Sequence, residues 1–118
     1  MAHDYRATLR RLALRDDRFI ERLLTEECTS SVRGELDARE RALVQLGALI
    51  ALDAAPPSYM SAAQAALRAG ATYEEIVDAL VAVLPVVGAA RVVSAAPNLS
   101  LALGYDTAEA LETAENGI

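Results

Sequence analysis

The fold of this chain is decided by residues 36–70, which read LDARERALVQLGALIALDAAPPSYMSAAQAALRAG. Asp37 can start a helix here, because Glu40 follows three residues later at the spacing of a capping box. Apolar residues then recur at helical spacing over about four turns. Pro56 and Pro57 end this helix and suit the first turn of a new one. The stretch therefore predicts a helix, a short turn and a second helix.

Helix signals continue on both sides of this stretch. Residues 72–75 read TYEE, a second capping box and the clearest start signal in the chain. Other helix starts are predicted at Asp4, at Asp16 or Asp17, after Gly88, and at Asp106 or Thr107. Residues 25–35, rich in Ser, Thr and Gly, predict a loop or a frayed helix end. Without any strand alternation, we expect an all-α bundle of about six or seven helices, a single domain over residues 1–118.

Composition and charge narrow the partners that this chain can have. The 118 residues are 53% hydrophobic but only 4% aromatic, and so rich an apolar content predicts surface buried between subunits. A net charge of −6 disfavours nucleic acid and anionic membranes as partners. The apolar region 76–104 is interrupted by charges and prolines, which argues against a membrane span. With no signal peptide in the first 22 residues, we expect a cytoplasmic location.

The chain is poor in residues that hold metals or carry redox chemistry. Cys28 is the only cysteine and His3 the only histidine. A single cysteine excludes an intrachain disulfide, a CxxC pair and a cysteine cluster, so neither a metal nor a cofactor is predicted. His3 is predicted to be a surface residue of the N-terminus.

Three segments together resemble the carboxymuconolactone decarboxylase family, which includes the AhpD-like alkylhydroperoxidases. They are LDARERALV at 36–44, ALRAGATYEEI at 66–76 and VGAARVV at 87–93. The resemblance covers roughly residues 36–104, and its second segment is the most specific. It implies an all-helical subunit that assembles into homotrimers or homohexamers.

The same resemblance implies a reactive site that this chain has changed. AhpD-like members place a Cys-x-x-Cys-x-x-x-His motif in the second helix and a Glu in the first, so that a thiolate attacks while His and Glu relay its proton. These positions fall here on Ala55, Ser58, Ala62 and, in a less certain register, Ala42. Disulfide exchange is therefore not possible at this site. The decarboxylases of the family keep the histidine, which Ala62 replaces.

Ser58 and Tyr59 are the remaining candidates for chemistry at the start of the second helix. The helix N-terminus there favours an anion, with Ser58 as a donor and Tyr59 as a donor or weak acid. The alternative is structural: Ser58 caps the helix, and Tyr59 packs with its hydroxyl paired. Ser94 is predicted to serve close packing.

Arg91 is the single cation between residues 76 and 104. It could clamp a substrate carboxylate, or it could pair with Asp53, Asp78 or a carboxylate of another subunit.

Two functions of different classes follow. The first is a cofactor-independent lyase of the decarboxylase or lactone type, acting on a small carboxylate-bearing molecule. Arg91 would bind the anion, and Tyr59 or Ser58 would assist proton transfer. The second is a non-catalytic member of the family that binds a ligand or only assembles. Peroxidase activity through Cys28 alone is a third and weaker hypothesis.

Overall fold

The computed structural model describes residues 4–29, 35–105 and 112, and it gives their side chains except those of residues 26–29. This part of the chain contains six α-helices and no strand. The helices are α1 (Tyr5–Ala13), α2 (Asp17–Thr29), α3 (Ala38–Leu52), α4 (Pro56–Arg68), α5 (Tyr73–Val87) and α6 (Ala89–Ala102). The predicted all-α fold is confirmed. The helix predicted from Asp106 or Thr107, the surface position of His3 and the side chain of Cys28 lie outside the described residues.

The first two helices belong to a compact unit that ends at Ala38. Asp4 caps α1 by accepting the N–H of Arg6, and Asp16 accepts the N–H of Phe19 at 3.1 Å at the start of α2. Both helices begin where the sequence predicts. The loop alternative for residues 25–35 is wrong over 25–29, which are helical, and residues 30–34 lie outside the described part. Thr25 fits the helix because its hydroxyl donates to a carbonyl one turn earlier.

Helices α3 to α6 form the second unit, which begins at Arg39 and contains a continuous apolar core. The buried residues are Ala42, Leu46, Ile50, Tyr59, Ala63, Ala66, Ala71, Ile76, Leu80, Ala95 and Leu99. The three on α3 are four residues apart, so they form one stripe along the helix. Helix α6 packs most closely against α4 and α5. Alanines at the centre of α4 and α6 allow this close approach. The single domain predicted over residues 1–118 stays a prediction.

The predicted capping box at the start of α5 is confirmed. Thr72 accepts the N–H of Glu75 at 3.0 Å, and the Glu75 carboxylate accepts the N–H of Thr72 at 2.9 Å. The guanidinium of Arg39 also pairs with Glu75, which ties the start of α3 to the start of α5. Helix α5 runs through Pro85 and ends at Val87; its C-cap is Gly88, where φ is +90° and only glycine is free of strain. None of the helices that the structure describes is long and apolar enough to span a membrane.

Candidate functional site

An open groove of about 630 Å³ lies where α3 passes the first turns of α4. It is lined by Gln45, Ala48, Leu49, Pro57, Ser58, Ser61 and Ala62. Three of these side chains can form hydrogen bonds, and none of the lining residues titrates near neutral pH. The groove therefore offers neutral donors and acceptors on an apolar floor, which is the usual composition of a small-molecule site.

The first turn of α4 differs from the anion site predicted from the sequence. Ala55 is the N-cap and forms no side-chain cap, so Ser58 lies within the helix and does not cap it. Pro56 and Pro57 are the first two helical residues, and neither has an N–H group. The N–H of Ser58 donates to the carbonyl of Ala55 at 2.9 Å. Backbone donors that would bind an anion at a helix N-terminus are thus missing or already used.

Tyr59 follows Ser58 but points into the core. It is 1% exposed, and its hydroxyl donates to the Leu49 carbonyl at 3.3 Å. Burial raises the pKa of Tyr59 above its ordinary value of 10.0. A hydrogen bond with the backbone of Ala54 lowers this pKa, but by less than burial raises it. Asp53 also raises this pKa, and Arg91 lowers it. Tyr59 is therefore a neutral, paired side chain of the core, and it does not line the groove beside it.

Replacing Tyr59 with Phe should change how stability depends on pH. Because the pKa is raised in the folded state, the protonated tyrosine stabilises the fold below pH 10, and this contribution is lost as the pH rises above the ordinary value of 10.0. We expect Tyr59→Phe to cost about 0.5–1.5 kcal/mol at neutral pH for the lost hydrogen bond. The loss of stability above pH 10 should become shallower. Urea unfolding at neutral and alkaline pH measures both effects. An unchanged alkaline slope in Tyr59→Phe would show that Tyr59 does not cause it.

Arg91 pairs with Asp53, the first of the three residues between α3 and α4. Its Nη1 atom lies 3.5 Å from Asp53 Oδ2, and both side chains are about half exposed. Ser94, one turn further along α6, donates its hydroxyl to Asp53 Oδ1 at 3.1 Å. The prediction that Ser94 serves close packing is therefore wrong, because the exposed hydroxyl binds a carboxylate. Neither Arg91 nor Asp53 lines the groove that contains Ser58.

A second cavity, of about 620 Å³, lies between α3 and α5. Its lining is mainly alanine, valine and leucine, with Glu75 and Asp78 at one side. Glu75 already pairs with Arg39 and with the N–H of Thr72. The cavity is therefore an apolar depression without converging polar groups.

Comparison with known families decides the identity of this scaffold. The model of the carboxymuconolactone decarboxylase family matches residues 18–99, more than half of the chain. The chain belongs to the carboxymuconolactone decarboxylase family. The match begins in α2, further towards the N-terminus than the resemblance read from residues 36–104. Neither the comparison with curated proteins nor the comparison with solved structures finds a match.

In this carboxymuconolactone decarboxylase family member, the groove contains two of the four positions that the resemblance to AhpD-like proteins associates with reactive groups. Of the four positions that carry reactive groups in AhpD-like relatives, Ser58 and Ala62 line the groove. Ala55 is exposed at the N-cap of α4, and Ala42 is buried in the core. Of the three site residues predicted from sequence, only Ser58 lies in the groove. Tyr59 is below it in the core, and Arg91 pairs with Asp53.

Sequence reasoning missed Gln45 and Ser61 as groove residues and the hydroxyl of Ser94 as a partner of Asp53. Ser61 lies one turn after Ser58 on α4, so helical spacing alone could have placed the two hydroxyls on one face. The contact between Ser94 and Asp53 spans 41 residues and leaves no local signal.

Proposed function

We propose that this family member binds a small, uncharged ligand in the groove beside Ser58 and does not catalyse a reaction there. The observation that carries the proposal is the lining itself, which combines two serines and a glutamine with alanine, leucine and proline. A proton-transfer site needs a group that can take or give a proton near neutral pH, and no lining residue is of that kind. The groove would thus bind a ligand at the position of the family's reactive site, without the groups that carry out its reaction.

The preference for an uncharged ligand follows from the start of α4. A carboxylate in the groove would need charged or well-aligned backbone donors to replace its water. Pro56 and Pro57 have no N–H group, and the N–H of Ser58 already donates to the carbonyl of Ala55. Hydroxyl and amide side chains can instead satisfy a carbonyl or ring oxygen. A lactone or a cyclic ketone fits these requirements.

Binding can be tested with δ-valerolactone and its ring-opened hydroxy acid, which share one carbon skeleton but differ in charge. We expect the lactone to shift the amide NMR signals of Ser58, Ser61 and Ala62 in a saturable way, while the hydroxy acid leaves them unchanged. Ala62→Phe should abolish the shifts, because its ring fills the groove that Ala62 lines.

The matched control is Ala65→Phe, the same change on the same helix at an exposed position that does not line the groove. It should bind the lactone as the unmodified chain does. Equal binding by both phenylalanine variants would contradict a site in the groove. Tighter binding of the hydroxy acid to the groove, measured at the Ser58, Ser61 and Ala62 amides, would contradict the uncharged ligand.

A second candidate is the cofactor-independent lyase of the decarboxylase or lactone type. Its support is Arg91, which is half exposed and close enough to influence the pKa of Tyr59. Arg91 would bind the substrate carboxylate, and Tyr59 or Ser58 would assist proton transfer. The test is whether the chain turns over the hydroxy acid or the lactone. A turnover rate that falls in both Arg91→Gln and Tyr59→Phe would favour this candidate over binding alone.

We also propose that the chain assembles into a homotrimer or homohexamer, as the family resemblance implies. Large apolar side chains on several helices support this, because Val86 is 85% exposed, Leu52 75% and Val93 69%. Isolated chains seldom leave so much apolar surface in water. Light scattering should give a mass about three or six times 12.5 kDa. A monomer mass across the working concentration range would contradict the assembly.

A further inference from the structure

Two side chains on α6 contact the two oxygens of one carboxylate, one by a hydrogen bond and the other as an ion pair. Ser94 donates to Oδ1 of Asp53 at 3.1 Å, and Arg91 lies 3.5 Å from Oδ2. The donors are three residues apart, so they share one face of the helix. A guanidinium and a hydroxyl on one helix face can bind a carboxylate, and here they contact the carboxylate of Asp53.

We propose that Arg91 and Ser94 form a second binding site, for a small carboxylate, which Asp53 occupies as an internal competitor. A ligand carboxylate would take the place of the Asp53 oxygens and accept from the same two donors. This site is separate from the groove beside Ser58, whose lining contains none of the three residues.

Asp53 is suited to leave this site. Its side chain is 49% exposed, so water can replace both of its partners as it rotates away. Water also screens an ion pair this exposed, which makes the pair with Arg91 a weak one. Asp53 has φ of +54°, a left-handed conformation that a residue with a side chain seldom adopts. Because both partners are about half exposed, releasing the Asp53 carboxylate leaves no buried charge unpaired.

The proposal shares with the lyase candidate only the binding of a carboxylate by Arg91. Ser94 and Asp53 have no role in that candidate. Acetate binding is measured without turnover, so this second binding site can exist in a protein that catalyses nothing. If the chain turns over a carboxylate substrate equally well with and without Asp53, that result supports the lyase and contradicts this proposal.

Asp53→Asn should weaken the internal competitor, since asparagine keeps the shape and tolerates positive φ but lacks the negative charge that pairs with Arg91. Sodium acetate is the probe, with sodium chloride at the same ionic strength as the reference. We expect acetate to shift the Arg91 Nε–H and Ser94 amide NMR signals, with an affinity about tenfold tighter in Asp53→Asn than in the unmodified chain. Asp53→Gly also suits the backbone and should give the same result.

Asp78→Asn is the matched control, because it removes one exposed charge from α5 by the same substitution. It should bind acetate no better than the unmodified chain. Adding Arg91→Gln to Asp53→Asn should abolish the acetate shifts. Equal acetate affinity in Asp53→Asn and Asp78→Asn would overturn the proposal, and so would binding that persists without Arg91.

Discussion

Leu46→Ala is expected to destabilise the fold by about 2–5 kcal/mol, which is a large part of the stability of a domain this size. Leu46 is 0% exposed on the buried stripe of α3, between Ala42 and Ile50. Removing its side chain loses the transfer free energy of three buried carbon atoms. It also leaves a cavity that helices held by their own hydrogen bonds cannot close.

Urea unfolding at a single protein concentration measures the effect, since assembly would make stability depend on concentration. Val44→Ala on the same helix is the control, because Val44 is 60% exposed. It should change the free energy of unfolding by less than about 0.5 kcal/mol. Similar losses in the two variants would show that α3 does not bury the stripe described here.

Ala95→Leu should destabilise the chain by the opposite mechanism, because it inserts atoms where no space exists. Ala95 on α6 is 0% exposed, as are Ala63 and Ala66 on α4. These two helices pack closely, and their alanines permit the approach. Three added carbon atoms must push the helices apart or take a strained rotamer, which costs about 1–3 kcal/mol and in tight sites more.

Ala90→Leu is the matched control on the same helix, since Ala90 is exposed. It should leave the unfolding midpoint nearly unchanged. Ala95→Leu should also shift the NMR signals of Ala63 and Ala66 if α4 moves. A stable Ala95→Leu variant with unchanged signals from α4 would contradict the close packing of α4 and α6.

The features that sequence predicts here are those with local causes. Thr72 and Glu75 bond to each other within one turn, so the start of α5 could be read from four letters. The turn at Pro56 could be read equally well, because proline cannot continue a helix. Family membership was readable for the same reason, since its motifs are local.

The features that sequence does not predict are those that depend on contacts between helices. The partner of Arg91 was one of several open alternatives, and only the turn after α3 brings Asp53 to it. Tyr59 and Ser58 are neighbours in sequence, but successive helical residues point in different directions. One lies in the core and the other in the groove. By contrast, the lack of two backbone N–H donors at the start of α4 could have been predicted, because Pro56 and Pro57 stand in the sequence.

We propose that this chain uses the family's scaffold to bind a ligand and not to catalyse a reaction. The most direct test follows δ-valerolactone by NMR with the protein in one tube, recording the lactone signals and the Ser58 amide together. We expect a saturable shift of the Ser58 amide signal, while the lactone decays no faster than in buffer. The proposal would be contradicted if the lactone decayed faster with the protein than in buffer and this extra decay were lost in Ser58→Ala. That result would establish an enzyme at this groove.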